Sequence, residues 1–286
     1  MFVERLDHHE YISPIQSYHT STLMIQDWTQ AIQNDREVIA GFTTKNGGVS
    51  QKPFESLNTG LHVHDKDADV VKNREYIADM FNIDLQSWVF ADQTHDNRVQ
   101  KVTHSDRGKG AREYQTALKA TDGLYTNEKN VFLALCFADC VPLFFYDPVT
   151  SLVGVAHAGW KGTVKQIGRE MVKQWAEQEG SNPSDIYAVI GPSISGACYT
   201  VDDRVMNAVR ALPVSAERAV NQTGQGQYQL DLKELNRLIL IDSGLANEQI
   251  SVSGLCTESE PSLFYSHRRD QGKTGRMMSF IGMKEA

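Results

Sequence analysis

Cysteine and histidine stand in this chain at positions where three of them can share one metal ion. Cys140 follows an apolar run as Ala138-Asp139-Cys140, and His157 opens the segment His157-Ala158-Gly159-Trp160. Between them Asp147-Pro148-Val149-Thr150 has proline at the favoured second position of a type I turn. A simple antiparallel pair closed there sets Asp147 against Thr150, Phe145 against Leu152, and Cys140 against His157. Facing residues sit about 5 Å apart at Cβ, close enough for a thiolate and an imidazole to bind one ion at about 2.3 and 2.0 Å. His95, in the polar loop Gln93-Thr94-His95-Asp96-Asn97, is the third candidate ligand, because loops on a rigid base present functional groups. The residues alone leave alternatives open. Cys140 also reads as a packed core thiol and His95 as a solvated loop histidine. His62 and His64 alternate on one side of an extended segment as further ligand candidates, while His8, His9, His19 and His104 read as exposed.

Three other features can carry chemistry. Asp139 is placed to move a proton or to order the turn beside Cys140. Glycine-rich pieces at Asn46-Gly47-Gly48, Gly159-Trp160-Lys161-Gly162 and Gly191-Pro192-Ser193 can offer backbone N–H groups to an anion, yet none matches a nucleotide-binding fingerprint. Arg268-Arg269 pairs two guanidiniums, which suits phosphate or carboxylate and equally suits a salt-bridged surface tail.

Strands and helices must position these groups. Val38 to Thr44 reads as a strand, Asp67 caps a helix with Val70, Ile77 and Phe81 on one face, and Trp88 to Phe90 and Val99 to Val102 flank the His95 loop as strands. Val131 to Phe137 is a buried strand, and Leu143 to Tyr146 pairs with Leu152 to Ala156. One helix is expected from Thr163 to Gln178, a strand from Ile186 to Ile190, and helices opened by Asp202 and Asp231. A last strand, Ile250 to Leu255, leads into a polar, arginine-bearing tail. Hairpins beside strand–helix alternation predict an α+β or α/β fold of mixed sheets rather than a doubly wound parallel sheet.

Composition narrows the function classes. In 286 residues, 36 acidic against 28 basic side chains disfavour nucleic acid and membrane surfaces, and no Lys/Arg run exceeds two. The longest apolar run, Val131 to Ala138, is far short of the roughly 20 residues that span a bilayer. No signal peptide is expected in MFVERLDHHEY, so the 4 cysteines are expected as thiols in a cytoplasmic protein. With no repeat or linker, a single domain over 1–286 is expected, monomeric or homodimeric.

Taken in order, Gly41-Phe42-Thr43-Thr44-Lys45-Asn46-Gly47-Gly48-Val49-Ser50, Ser56-Leu57-Asn58, Gln93-Thr94-His95, Thr121-Asp122-Gly123, Ala138-Asp139-Cys140-Val141-Pro142, His157-Ala158-Gly159-Trp160, Ile190-Gly191-Pro192 and the stretch from Tyr265 to Arg276 resemble the laccase-domain family. That family is also called the multicopper polyphenol oxidoreductase or YfiH-type family, and it has been reassigned as purine nucleoside phosphorylases. The likeness begins near residue 38 and leaves 1–37 as an N-terminal segment outside it. It implies a single domain of layered mixed sheets and helices, similar to a toxin deamidase domain with a cysteine-hydrolase fold. It also implies a zinc site of His95, Cys140 and His157, phosphorolysis of adenosine, inosine and S-methyl-5′-thioadenosine, and deamination of adenosine. Two departures stand out: Lys45 where the family often has arginine, and Asp96 where it has glycine.

On that resemblance Cys140, His157 and Asp139 are the catalytic candidates, and Lys45, Arg268 and Arg269 the candidates for holding phosphate. Three protein ligands leave a zinc position open, as catalytic sites do. Three rivals remain: a copper-dependent polyphenol oxidase, with copper in the same ligands, a cysteine hydrolase with Cys140 as nucleophile and His157 as its base, and a non-catalytic, metal-stabilised binding module.

Overall fold

Strand residues that are apolar on both faces need cover on both faces, and this chain supplies it with two sheets and two helical layers. The structure is a computed structural model that describes the backbone of residues 4–6, 10–14, 22–25 and 36–285, with side chains from Val38 onward. His8, His9 and His19 lie outside the described residues. The larger sheet has seven strands in the order β1 (Glu4–Leu6), β2 (Glu10–Pro14), β3 (Thr22–Ile25), β4 (Arg36–Thr43), β16 (Met277–Glu285), β8 (Phe132–Phe137) and β5 (Trp88–Phe90). The second has six, β15 (Ile250–Val252), β11 (Tyr187–Ile190), β9 (Val141–Asp147), β10 (Leu152–Ala158), β7 (Gly123–Thr126) and β6 (Val99–Lys101). A small third sheet joins β12 (Thr200–Val201), β14 (Gln227–Leu230) and β13 (Val220–Gly224). Both large sheets are mixed: β16 runs antiparallel to β4 and β8 while β5 is parallel to β8, and β6–β7 and β11–β15 are parallel pairs.

Alternation along the strands decides the layers. Leu133, Leu135 and Phe137 of β8 meet Phe144 and Tyr146 of β9 and Val153 and Val155 of β10 in a core between the sheets. The intervening β8 residues, Phe132 and Ala134, turn outward with Trp88, Met278 and Phe280 onto Ile77 of α1 (Asp67–Met80). On the far side Leu143 and Phe145 of β9 pack on α3 (Ile167–Glu179) and α5 (Leu232–Asp242) through Met171, Trp175, Leu235 and Ile239. The result is a single mixed α+β domain layered helix, sheet, sheet, helix. Complete burial of one such Phe or Leu contributes about 1.5–3 kcal/mol.

Three expectations are corrected. The β9–β10 turn holds four residues, Pro148 to Ser151, so Asp147 pairs with Leu152 and His157 with Pro142. Asp147 accepts the N–H groups of Val149 and Thr150 at 2.8 and 3.2 Å, and Ser151 takes a left-handed φ of 57°, which together close the longer loop. The register moves by two residues, an even number, so Cys140 and His157 keep the same face. The single helix from Thr163 to Gln178 is two helices, α2 (Trp160–Val164) and α3, broken where Gln166 turns left-handed at φ 59°. The arginine-bearing tail does not end as a loop. It returns as β16, an interior strand of the larger sheet. The expected caps Asp202 and Asp231 do accept N–H bonds, from Val205 at 3.2 Å and Glu234 at 3.0 Å, at the starts of α4 (Asp203–Arg210) and α5.

Candidate metal centre

The chain crosses from the larger sheet to the smaller one twice at the same end of the molecule, and each crossing carries a ligand candidate. Residues 91–98 lead from β5 to β6 and hold His95; Ala138-Asp139-Cys140 leads from β8 to β9. His157 sits one residue before the end of β10, at that same end. The ligand atoms of His95, Cys140 and His157 all lie within 4.8 Å of one another. The imidazoles of His95 and His157 meet edge to face at 4.6 Å, and Phe137 packs on His157 at 5.2 Å. This triad of one thiol and two imidazoles matches the donors and the count of a catalytic zinc site with an open position. The residues present therefore fit the ion.

One acid holds the arrangement together. Asp122, fully buried just before β7, accepts the backbone N–H groups of Thr94, His95 and Asp96, each at 3.0 Å. The same carboxylate accepts the Nδ1–H of His157 at 2.9 Å, which leaves Nε2 for the ligand position. Burial alone would raise the Asp122 pKa, but the His157 charge and these N–H bonds hold it below the ordinary carboxylate value. On the other side Gln93 donates to the Cys136 carbonyl at 2.9 Å and accepts its N–H at 2.7 Å, extending β8 like a strand partner. The left-handed residue of the loop is His95 itself, φ 60°. Asp96 consequently needs no glycine; it pairs with Lys165 at 2.7 Å and accepts the N–H of Asn97.

Electrostatics favour a thiolate. Burial would push the Cys140 thiol up, but the His157 charge and hydrogen bonds from His157 and His95 bring it down to about 6. Burial would push His157 down, and the Cys140 thiolate followed by Asp122 raises it to about 9. Gly159 makes the closeness possible, since a Cβ there would stand 2.9 Å from Cys140 Sγ and 3.1 Å from His95 Cδ2.

The donors open onto a cleft of about 490 Å³. Trp160, Tyr199, His62, Tyr114 and Arg276 are among the residues that line it. Of the expected anion contacts, Arg268 reaches the cleft, its guanidinium 5.1 Å from the Tyr199 ring centroid. Arg269 does not line it: its N–H groups go to Asp270 and to the carbonyls of Thr257, Glu258 and Phe264. Lys45 does not line it either; the backbone of Lys45 serves the strand-end loop by bonding Leu263, Ser56 and Leu57. Asp139 lines the cleft, and its carboxylate accepts Thr257 Oγ1 at 2.7 Å, Ser266 Oγ at 3.0 Å and the Arg268 N–H at 2.7 Å. Among the alternative ligands, His62 lies in the cleft wall outside the three-donor group, and His64 is exposed away from the cleft lining. Spacing in the sequence missed Asp122, Arg276, Trp160 and Tyr199 as site residues. A signal for Asp122 existed in Thr121-Asp122-Gly123, a lone acid ahead of a buried strand.

Comparison with known proteins gives the chain's relatives. Residues 39–284 match the family described as multi-copper polyphenol oxidoreductase laccase. Purine nucleoside phosphorylase YlmD of Bacillus subtilis is 92% identical over 266 residues, 93% of this chain and 96% of that protein. The crystal structure of YlmD from Geobacillus stearothermophilus has a TM-score of 0.89 at 47% identity, covering 96% of this chain and 100% of its own. A Bacillus licheniformis hypothetical protein, YfiH, has a TM-score of 0.89 at 59% identity, with 92% and 96% covered.

Proposed function

Because the chain belongs to the multi-copper polyphenol oxidoreductase laccase family, we propose that it is a zinc-dependent purine nucleoside phosphorylase. Its proposed substrates are adenosine, inosine and S-methyl-5′-thioadenosine, with inorganic phosphate as co-substrate, and adenosine deamination is a second activity of the same site. The observation that carries the proposal is the His95, Cys140, His157 donor group at a cleft of nucleoside size with aromatic walls. Zinc held there supplies a Lewis acid with an open coordination position.

The chain's own residues do the rest. Asp122 fixes the tautomer of His157 and the shape of the His95 loop, so the donors are arranged before substrate arrives. Trp160 and Tyr199 present ring faces to a purine. Lys161, Arg268 and Arg276 give the cleft the positive charge that attracts phosphate against a net charge of -8. In phosphorolysis a phosphate oxygen bonds C1′ of the ribose as the C1′–N9 bond breaks, and the electron pair leaves with the purine, which takes up a proton. Asp139 is assigned here as a positioning residue, because its oxygens already accept from Thr257, Ser266 and Arg268. A reducing, cytoplasmic setting belongs to the same reading, since Cys136, Cys140, Cys198 and Cys256 are free. No described helix is long and apolar enough to cross a membrane.

The test is metal content together with product analysis on adenosine, with and without phosphate. The proposal expects about one zinc per chain, adenine plus ribose 1-phosphate when phosphate is present, and inosine when it is absent. Undiminished activity after chelation, or no turnover of any purine nucleoside, would sink it. A cysteine-hydrolase reading has its own support in Cys140, His157 and Asp122, which line up as nucleophile, base and orienting acid. Stoichiometric zinc with a Zn–S bond excludes that reading, because the sulfur is then a ligand and not a free nucleophile.

A further inference from the structure

Arg276 is a cleft cation with no carboxylate at ion-pair distance among the described residues, Asp139 acting on it only at longer range. Its backbone is pinned from both sides: its N–H donates to Asn58 Oδ1 at 2.8 Å, and its carbonyl accepts Thr59 N at 3.0 Å and Thr59 Oγ1 at 2.8 Å. Nη1 donates to the carbonyls of Thr274 and Gly275 at 2.8 and 2.9 Å, which fixes one edge of the guanidinium. Among the described residues neither Nε nor Nη2 has a protein acceptor, and the group lines the cleft. Partial burial lowers its pKa, and the nearby Cys136, Cys140 and Asp139 offset that only in part.

The other arginines in the region differ. Arg269 is saturated by Asp270 and three carbonyls. Arg74 is buried beneath Phe90, 3.7 Å from its centroid, and donates to the carbonyls of Thr59, Gly110 and Ala111. Arg268 is exposed at the rim.

His62 stands beside Arg276. A Cβ on Gly60 would touch both, at 2.8 Å from Arg276 Cγ and 3.3 Å from His62 Cε1. The His62 ring lies 5.9 Å from Tyr114, whose hydroxyl donates to Asp92. His62 lines the cleft with an edge open to solvent; desolvation by the surrounding wall, then the charges of Arg276 and Arg74, lower it to about 4, so its imidazole is neutral. A neutral imidazole has one donor and one acceptor nitrogen. Monohydrogen phosphate has the matching set, three acceptor oxygens and one O–H, and a guanidinium with its Nε–Nη2 edge free binds such oxyanions in a planar fork.

We infer that Arg276, with His62 beside it, forms the subsite for inorganic phosphate, the co-substrate that the phosphorylase reading requires. Arg268 at the rim is then a contact for the other half of the substrate or for its approach. The inference rests on the proposed function for its ligand, but the recessed, unpaired cation is independent of it.

The experiment uses the full zinc-loaded chain with inosine and inorganic phosphate, and reads the two KM values separately. Arg276→Gln is expected to raise the phosphate KM about 10- to 100-fold while the inosine KM stays within about threefold. Arg276→Lys restores part of the loss, because charge survives without the fork. His62→Gln, a second variant in case Arg276→Gln does not fold, raises the phosphate KM by a smaller factor. In a separate arm without nucleoside, phosphate raises the Tm of the wild type and not that of Arg276→Gln. An unchanged phosphate KM and Tm shift in Arg276→Gln, or a rise in the phosphate KM produced by Arg268→Gln instead, overturns the subsite. If the wild type forms no ribose 1-phosphate, the phosphorylase reading fails. The Tm arm then decides the anion subsite alone: an Arg276-dependent shift upholds it and its absence overturns it.

Discussion

At the scale of single residues, the proposed metal centre depends on one carboxylate outside its candidate ligands. Asp122 satisfies three successive N–H groups and one imidazole at once. Asp122→Asn cannot accept all four, since its amide nitrogen is a donor. The expected outcome is a loss of zinc affinity of about 10–100-fold with the overall fold retained, checked by chelator competition and circular dichroism. Gly159 makes a sharper prediction. Its α-hydrogen faces Cys140 and His95 where a methyl does not fit, so Gly159→Ala displaces a ligand. Misplacement on the order of 1 Å costs about 100-fold in rate, and the zinc-loaded variant should show that drop in kcat while its thermal transition shifts little. An unaltered kcat would mean that the sulfur and imidazole have more freedom than their packing shows.

At the scale of elements, two short connections do the positioning, one held by Asp122 from outside it and the other by its own Asp139. Asp139, left-handed at φ 82°, follows β8 and gathers Thr257, Ser266 and Arg268 around the crossing. Asp139→Ala strands three donors and is expected to destabilise the protein by about 2–4 kcal/mol, measured by urea unfolding. A purely catalytic role would instead lower kcat and leave the unfolding midpoint in place. The β9–β10 loop offers the control, far along the strands from the donors. Asp147, fully buried, accepts Val149, Thr150 and the hydroxyl of Ser181 at 2.5 Å. Asp147→Ala should cost a similar amount of stability without changing zinc affinity.

At the scale of the whole molecule, the site exists because two sheets are pressed face to face and the chain steps between them at one end. The strand that completes the larger sheet is β16, the last described element, paired on both sides with β4 and β8. Phe280 of β16 packs on Trp88 and Phe81, at 5.6 and 5.3 Å between centroids. Phe280→Ala should therefore cost about 3–5 kcal/mol in thermal or urea unfolding, although it touches no cleft residue; near-wild-type stability would mean that the outer core can close over the gap. The strands β8, β9 and β10 were legible in the sequence, since apolar runs bounded by turn residues have few other uses. So were the capped starts of α4 and α5, where an aspartate precedes the apolar period. The three candidate ligands, which the structure brings within reach of one another, were legible by type, with the family resemblance choosing His95 over His62. The turn length was not, because Ser151 in a left-handed conformation is a tertiary outcome with no marker in its residue type. Nor was β16, whose polar approach through Arg268 and Arg269 hides an apolar strand that only its neighbours complete. What the sequence by itself determined is the donor chemistry: one thiol and two imidazoles on segments bounded by buried strands. The tertiary structure alone decided that Arg268 and Arg276 line the cleft while Arg269 does not, and that Asp122 holds the candidate ligands, because both depend on where unrelated segments are brought together when the two sheets pack.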